Sequence, residues 1–453
     1  MGLSMRAYGF LLVALMLLYG GDANGAPSMS LEDARRTLYE RSDILKASAA
    51  NVESKEHTSD SLKWLHGPTI AIEGQELWGE TRIDIQRNIS TPLGNMPLDL
   101  EENYNFSGPR AGIAGTLPIV TGGKIGATQK MAKYQVDEAR AKQRNVSIDQ
   151  DIQLIGKYFG LQLALSIERL RADTLKMENE ELARAIRFER EGMISPVERM
   201  GVKVARDKAE REHLQARNDV KTAKLELQRL LLDDNIGKLT TPLFVLKNAP
   251  RKMEEWVEQA FRNNPQIAMI EAKVQQANQG VEISKSSWFP QIYGFGEYSF
   301  IRHYQTAIEP AWLLGLGASL TLWDSTDRIS TYKSARANLR EARATHSDAR
   351  NQVKTATEKA WLNAQNAREQ YMLTASEVGF AKENLDLKSQ GFGEGLYTTL
   401  DVTHARDQLL EAEVGRRIAA FQFIVNYATL HAIAGLMDDF MKIKNRTDII
   451  VEK

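Results

Sequence analysis

Among the residues that could do chemistry, "TGGK" at 121–124 comes nearest to a phosphate-binding loop. That loop needs a further glycine five positions before Gly123 and a Ser or Thr after the lysine. Those positions hold Pro118 and Ile125. The seven histidines (57, 66, 213, 303, 346, 404 and 431) show no HExxH or other ligand spacing. No GxSxG elbow appears among the many Ser and Asp residues. Cysteine is absent, which excludes disulfides, thiolate metal sites, a cysteine nucleophile and a lipidated N-terminal cysteine. The residues point away from an enzyme and imply no cofactor and no metal centre.

A different constellation stands out. "GFGEGLYTTLDV" (391–402) interrupts a charged, alanine-rich run with three glycines in five positions. Each glycine costs a helix interior about 1 kcal/mol relative to alanine, so the stretch predicts a turn. A solvent turn has no need of Leu396 and Tyr397 at its tip. The same pattern occurs earlier: "EGMISPVE" (191–198) matches "EGLYTTLD" (394–401) at a separation of 203 positions. The pair sets Gly192, Met193, Ser195 and Glu198 beside Gly395, Leu396, Thr398, Thr399 and Asp401. Glu198 and Asp401 stand where returning helices start, and a carboxylate favours that positive dipole end. Two uses fit these residues: helix caps, or a surface that meets another molecule.

The elements that must position the turns follow from the whole chain. It has 453 residues with 58 Lys+Arg against 59 Asp+Glu, so no basic field attracts nucleic acid. Charged residues make up 26% and prolines number 12, a folded, helix-rich balance. At the N-terminus, "AYGFLLVALMLLYGG" (7–21) follows one positive charge, and Ala23 and Gly25 precede a cut before Ala26. Residues 1–25 thus form a secretory signal peptide. The run is short for a membrane anchor.

The chain repeats itself. "LEDARRTLYERSDILKAS…WLHGPTIAIEG" (31–74) aligns with "MEEWVEQAFRNNPQIAMI…SWFPQIYGFG" (253–296), Pro68 meeting Pro290 and Gly74 meeting Gly296, 222 positions apart. The tips repeat at 203 because a longer loop is expected between Gly79 and Pro109. The halves are 26–252 and 253–440, with a tail from 441 to 453. Each predicts a helix (about 29–66 and 253–286), a proline-led strand, a loop, a second strand, a very long helix, a glycine turn and a returning helix.

Strand character is clearest in "WLLGLGASLTLW" (312–323). Trp312, Leu314, Leu316, Ala318, Leu320 and Leu322 share one face, and Gly315, Gly317, Ser319 and Thr321 the other. Such faces end in Trp or Tyr, as in an outer-membrane barrel with aromatic girdles, where Leu314, Leu316 and Leu320 face lipid. From His346 a seam runs through Ala349, Val353, Ala356, Ala360, Ala364, Ala367, Tyr371, Thr374, Val378, Ala381 and Leu385. Spacings of three and four make it a coiled-coil seam, with a stutter at 356–364. The long helices, about 122–190 and 325–390, would reach about 100 Å.

Four membrane strands cannot close alone, and open edges are forbidden in lipid. The barrel must be shared. Two chains give eight strands and a filled lumen; three give twelve and a wider one, which the Gly, Ser and Thr positions favour. The expected fold mixes α structure with transmembrane β structure. A shared twelve-stranded outer-membrane barrel, four strands per protomer, continues into a long periplasmic α-helical barrel, trimeric and internally duplicated. Such a chain is a transport conduit; the alternative is a periplasmic coiled-coil adaptor or structural protein without a membrane barrel.

These residues resemble the outer-membrane efflux protein family, the TolC-like channels. The resemblance rests on the duplicated "NNPQI…FPQI" block, on "GTLPIVTGGK" (115–124) and "ASLTLWDSTDR" (318–328), and on the paired tips. The first copy departs from the pattern, with Asp43 where the second has Pro265, and Pro196 in its tip. The resemblance implies a homotrimeric exit duct of a tripartite efflux pump or type I secretion system. It implies tips that meet a periplasmic adaptor (membrane fusion) protein and, through it, an inner-membrane transporter. It also implies a periplasmic constriction on the second long helix just before its tip, where Glu383 and Asp386 are the candidates, with Lys382 and Lys388 nearby.

Overall fold

The computed structural model describes residues 28–92, 94–249, 251–302, 310–323, 327–443 and 448–452, and their side chains except at 81, 83, 91, 102, 104 and 106. The expected signal peptide, 1–25, lies outside the described residues. The first half runs β1 (Ser28–Met29), α1 (Leu31–Arg41), α2 (Asp43–Leu62), β2 (Thr69–Thr91), β3 (Gly94–Val120), α3 (Lys124–Arg190) and α4 (Pro196–Leu231). After β4 (Lys238–Leu239) and β5 (Phe244–Leu246) come α5 (Met253–Asn263), α6 (Pro265–Ser286), β6 (Gln291–Arg302), β7 (Trp312–Ser319), α7 (Arg328–Gly393) and α8 (Thr399–Ile433). The chain ends with α9 (Met437–Met441) and β8 (Ile449–Val451).

Each expected leading helix is broken in two. In the second half Pro265 disfavours a helical Asn264, which turns extended (φ −63°, ψ 121°) and caps α6 by accepting from the amides of Gln266 and Ile267. In the first half Ser42 takes almost the same backbone angles, φ −59° and ψ 118°, without a proline. Asp43 in place of Pro265 therefore leaves the break intact.

The chain forms two compact units, each drawing on both halves of the sequence. One comprises Met1–Leu45, Ser147–Asn263 and Thr355–Lys453. Its core clusters Phe159, Phe244 and Phe440 with Tyr427, Trp256 and His431, ring to ring at 4.4–6.4 Å. The Tyr158 hydroxyl donates to the Met29 carbonyl (2.8 Å) and accepts from the Thr241 amide (3.0 Å), which ties α3 to the segments carrying β1 and β4. Arg35 of α1 forks onto Asp151 of α3 at 2.9 and 2.7 Å. Burial pushes the Asp151 carboxyl up, and the guanidinium opposes it.

In the same unit β8 pairs antiparallel with β5, and Glu452 then pins the tail to the helices. Glu452 accepts from the Tyr371 hydroxyl (2.5 Å) and from Arg416, whose guanidinium also donates to Tyr371 (2.7 Å) and lies 4.4 Å from its ring centre. Burial, then the carboxylate, holds the Tyr371 phenol well above its usual value near 10. A raised folded value contributes stability that is complete below about pH 10 and lost as pH rises beyond it. We predict that Tyr371→Phe lowers stability by ~1–3 kcal/mol at neutral pH, because Arg416 and Glu452 lose a shared partner. Thermal melts should also show the wild type losing that advantage above about pH 10; parallel pH profiles would contradict this.

The seam of α7 is buried at Ala349, Val353, Thr357, Ala360, Ala364, Ala367, Tyr371, Thr374 and Ala381. Thr357 takes the place expected of Ala356, which is half-buried. The consecutive steps of four therefore fall at 349–357, and from 357 onward steps of three and four alternate.

The other unit, Lys46–Val146 and Asn264–Lys354, holds an antiparallel sheet in the order β2-β3-β6-β7. Two expectations are corrected here. The loop expected between Gly79 and Pro109 is strand: β2 and β3 pair in one unbroken register from Thr69–Thr116 to Thr91–Gly94. The last strand ends at Ser319, opposite Gln291, so Leu320 and Leu322 lie beyond it. Gln291 follows Pro290, which has no N–H to extend the ladder.

Candidate functional site

The sheet register assigns its faces. Leu314 sits opposite Gly296 and Leu316 opposite Gly294, and the same side carries Ile70 and Ile72 of β2 and Ile113 and Leu117 of β3. All six apolar side chains are exposed, Leu314 and Leu316 by about three quarters (76% and 77%). Trp78, Tyr298 and Trp312 bound this apolar face at one end, and Trp288 and Phe289 at the other. From Phe289 to Tyr298 is about nine residues, roughly 30 Å of strand. Tilted, that matches the apolar band of about 25 Å in membrane barrels. Leu320, just past the strand, is exposed but outside the ladder.

The opposite face carries Glu73, Gln75, Arg110 and Glu297, with Arg110 paired to Glu297 at 3.3 Å. It is less open than its glycines predict. The Phe295 ring lies over Gly315 and the Tyr293 ring over Gly317, where a Cβ would come within 2.7 and 2.6 Å of ring carbon. Large residues thus stand directly across from glycines on both faces, a pairing that fills the pleat without a second sheet.

The two tips share one backbone geometry. In the first, the Met193 amide donates to Phe188 (2.8 Å) and the Gly192 amide to Glu189 (3.0 Å). In the second, Leu396 donates to Gly391 (2.8 Å) and Gly395 to Phe392 (3.1 Å). This double bond is the Schellman helix ending, and its left-handed residue is glycine both times, Gly192 at φ 72° and Gly395 at φ 75°. Of the two glycines at the end of α7, Gly391 leaves room for the Tyr397 ring, which a Cβ would meet at 2.6 Å. Tyr397 therefore packs back on its own helix; nothing in the structure explains Gly393.

Each returning helix opens with a capping box. Ser195 accepts from the Glu198 amide (3.2 Å), and Glu198 accepts from the Ser195 amide (2.7 Å). Thr398 and Asp401 repeat the exchange at 3.3 and 2.9 Å. These bonds, led by the Thr398 hydroxyl, hold the Asp401 carboxyl below its usual value. Thr399 is buried, so its hydroxyl is withdrawn from the tip surface. Met193, Val197, Leu396 and Leu400 are exposed large apolar side chains of the tips, flanked by exposed Glu191 and Glu394. Val197 and Leu400 were not anticipated, although the separation of 203 that pairs Met193 with Leu396 also pairs them.

Behind the tips, Lys208 of α4 bonds Asp407 of α8 at 2.9 Å, and Arg406 of α8 bonds Glu178 of α3 at 2.5 Å. These links bring both tips to one end of the unit. Glu383 and Asp386 are exposed on the side of α7 away from its seam, whereas Asn384 turns to α8 and donates to Gln408 at 3.1 Å. Lys388 lies near enough to Asp401 to favour its charge.

Comparison with known proteins agrees with this arrangement. Residues 256–436 match the family model described as outer membrane efflux protein. Over that segment the chain is similar to the outer membrane efflux proteins. It is 22% identical to the outer membrane efflux protein BepC of Brucella suis over 314 residues, 68% of each chain. It is 22% identical over 249 residues to the nickel-cobalt-cadmium resistance protein NccC of Alcaligenes xylosoxydans, 54% of this chain and 53% of that one. In fold it is similar to the outer membrane protein VceC of Vibrio cholerae, with a TM-score of 0.71 at 16% identity over 89% of this chain and 96% of that one.

Proposed function

We propose that this chain is the exit duct of a tripartite efflux pump or type I secretion system, working as a homotrimer. The observation that carries the reading is the four-stranded sheet, apolar on one face, with β2 and β7 as its outer strands. Open edges are not tolerated in lipid, so copies of the chain supply the missing neighbours, and three copies close twelve strands around a conducting lumen. Leu314 and Leu316 then face outer-membrane lipid, with Leu320 at its border, while the long helices of the three copies close a helical tube. The matching order α1-α2-β2-β3-α3-α4 and α5-α6-β6-β7-α7-α8 supports an internal duplication, 26–252 and 253–440, with 441–453 as a tail.

The tips are the docking surface for a periplasmic adaptor protein, which links the duct to an inner-membrane transporter. Met193, Leu396, Val197 and Leu400 are its apolar anchors. Gly192 and Gly395 set the turns, and Ser195, Glu198, Thr398 and Asp401 hold them rigid. Thr399 supports the turn from inside. Glu383 and Asp386 form the constriction, because three-fold symmetry would gather six carboxylates whose mutual repulsion attracts cations. Glu383→Ala with Asp386→Ala should raise single-channel conductance in planar bilayers about twofold or more and weaken block by multivalent cations. Unchanged conductance and block would place the constriction elsewhere.

A further inference from the structure

The β2–β3 hairpin extends far beyond the sheet it belongs to, and its polarity inverts along the way. β6 pairs with β3 no further than Arg110, and β6 and β7 are joined by only nine residues, 303–311. The hairpin continues from Glu76–Pro109 to Thr91–Gly94, about sixteen residue pairs or roughly 50 Å of two-stranded ribbon. Its register is uniform, so one side of the ribbon is continuous with one side of the sheet throughout.

Up to Trp78 the side shared with Leu314 and Leu316 is apolar except for Glu76, and the other side carries Glu73, Gln75 and Arg110. Beyond Trp78 the assignment reverses. The side continuous with the lipid face now carries Glu80, Arg82, Asp84, Asp99 and Glu101, with Arg82 and Glu101 ion-paired. The side continuous with the polar face carries Ile85 opposite Leu100, Leu98 opposite Arg87, and Ile89 opposite Met96. All five of these apolar side chains are exposed. Among the described side chains on that side, Arg87 is charged.

A lone ribbon with one apolar side is marginal in water, and a bare apolar side invites association. Lipid does not cover it, since it continues the face turned away from lipid. In a shared barrel that face points to the symmetry axis. We propose that, in the trimer, three copies of the hairpin turn these apolar sides toward one another beyond the barrel, so that Ile85, Ile89, Met96, Leu98 and Leu100 form an apolar cluster over the outer mouth. The occupant of each apolar side is therefore another copy of this chain. The inference rests on the shared-barrel reading above.

The chain has no cysteine, so single-cysteine variants of the full-length protein test it directly. Leu98→Cys and Met96→Cys lie on the apolar side, and Asp99→Cys and Asn95→Cys on the polar side. After treatment of outer membranes with a short bismaleimide, denaturing gels should show the first two largely as linked dimers. One thiol per protomer can link two of three copies. The polar-side variants should link at least tenfold less. Equal linking of both sets, or none, in protein whose native mass is three protomers would overturn the cluster while leaving the barrel intact. A native mass other than three protomers would instead overturn the shared barrel on which the cluster rests.

Discussion

Leu316→Arg is expected to abolish outer-membrane assembly. Leu316 stands on the apolar face opposite Gly294, 77% exposed in the single chain, among apolar neighbours such as Leu117 and Ile119 that offer a charge no partner. An arginine at mid-bilayer on a lipid-facing position costs ~2–4 kcal/mol, and a trimer would incur it three times. Cell fractionation and heat-modified gel migration should find the variant unassembled. Ser319→Arg, on the other face of the same strand, should assemble and change conductance. If both variants assemble equally well, the faces are assigned wrongly.

Arg406→Met should be the most damaging single change among the helices. Glu178 is almost fully buried, and its Oε1 takes a 2.5 Å bond from Arg406 while its Oε2 is buried without a hydrogen-bond partner. Removing the guanidinium leaves a buried carboxylate with no compensating charge, which costs ~3–5 kcal/mol. Because the pair links α8 to α3 behind the tips, the loss should appear as a lower melting temperature and as proteolysis near 190–200 and 391–400. Adding Glu178→Gln should restore part of the stability, since the isolated charge is gone. An Arg406→Met protein as stable as the wild type would show that the pair contributes nothing.

Much of this arrangement was legible in the residues, for reasons that differ by element. The long helices and their turns could be read because alanine seams and Schellman glycines are local signals: Gly192 and Gly395 end helices wherever they occur. The exchange of Ala356 for Thr357 went unseen because composition favours alanine in a seam, whereas the stutter is set by the helix opposite. The 79–109 ribbon resembled a loop because Pro92, Gly94, Pro97 and Pro109 are turn and breaker residues. Its strict alternation shows only when both strands are set in register. The ends of β7 could not be read either, since Ser319 is last because of Pro290 on its neighbour. At the tips, sequence found the repeated residues but not their division of labour. Hydroxyls and carboxylates that looked available for a partner are consumed by the caps, and burial removes Thr399.

The central claim is that one chain supplies four strands of a barrel that only three chains can close. Native mass measurement of the detergent-solubilised protein tests it most directly. The account predicts a single species of three protomers with a bound detergent belt and no folded monomer, because a lone chain leaves the outer edges of β2 and β7 unpaired. A monodisperse monomer that binds little detergent would contradict it.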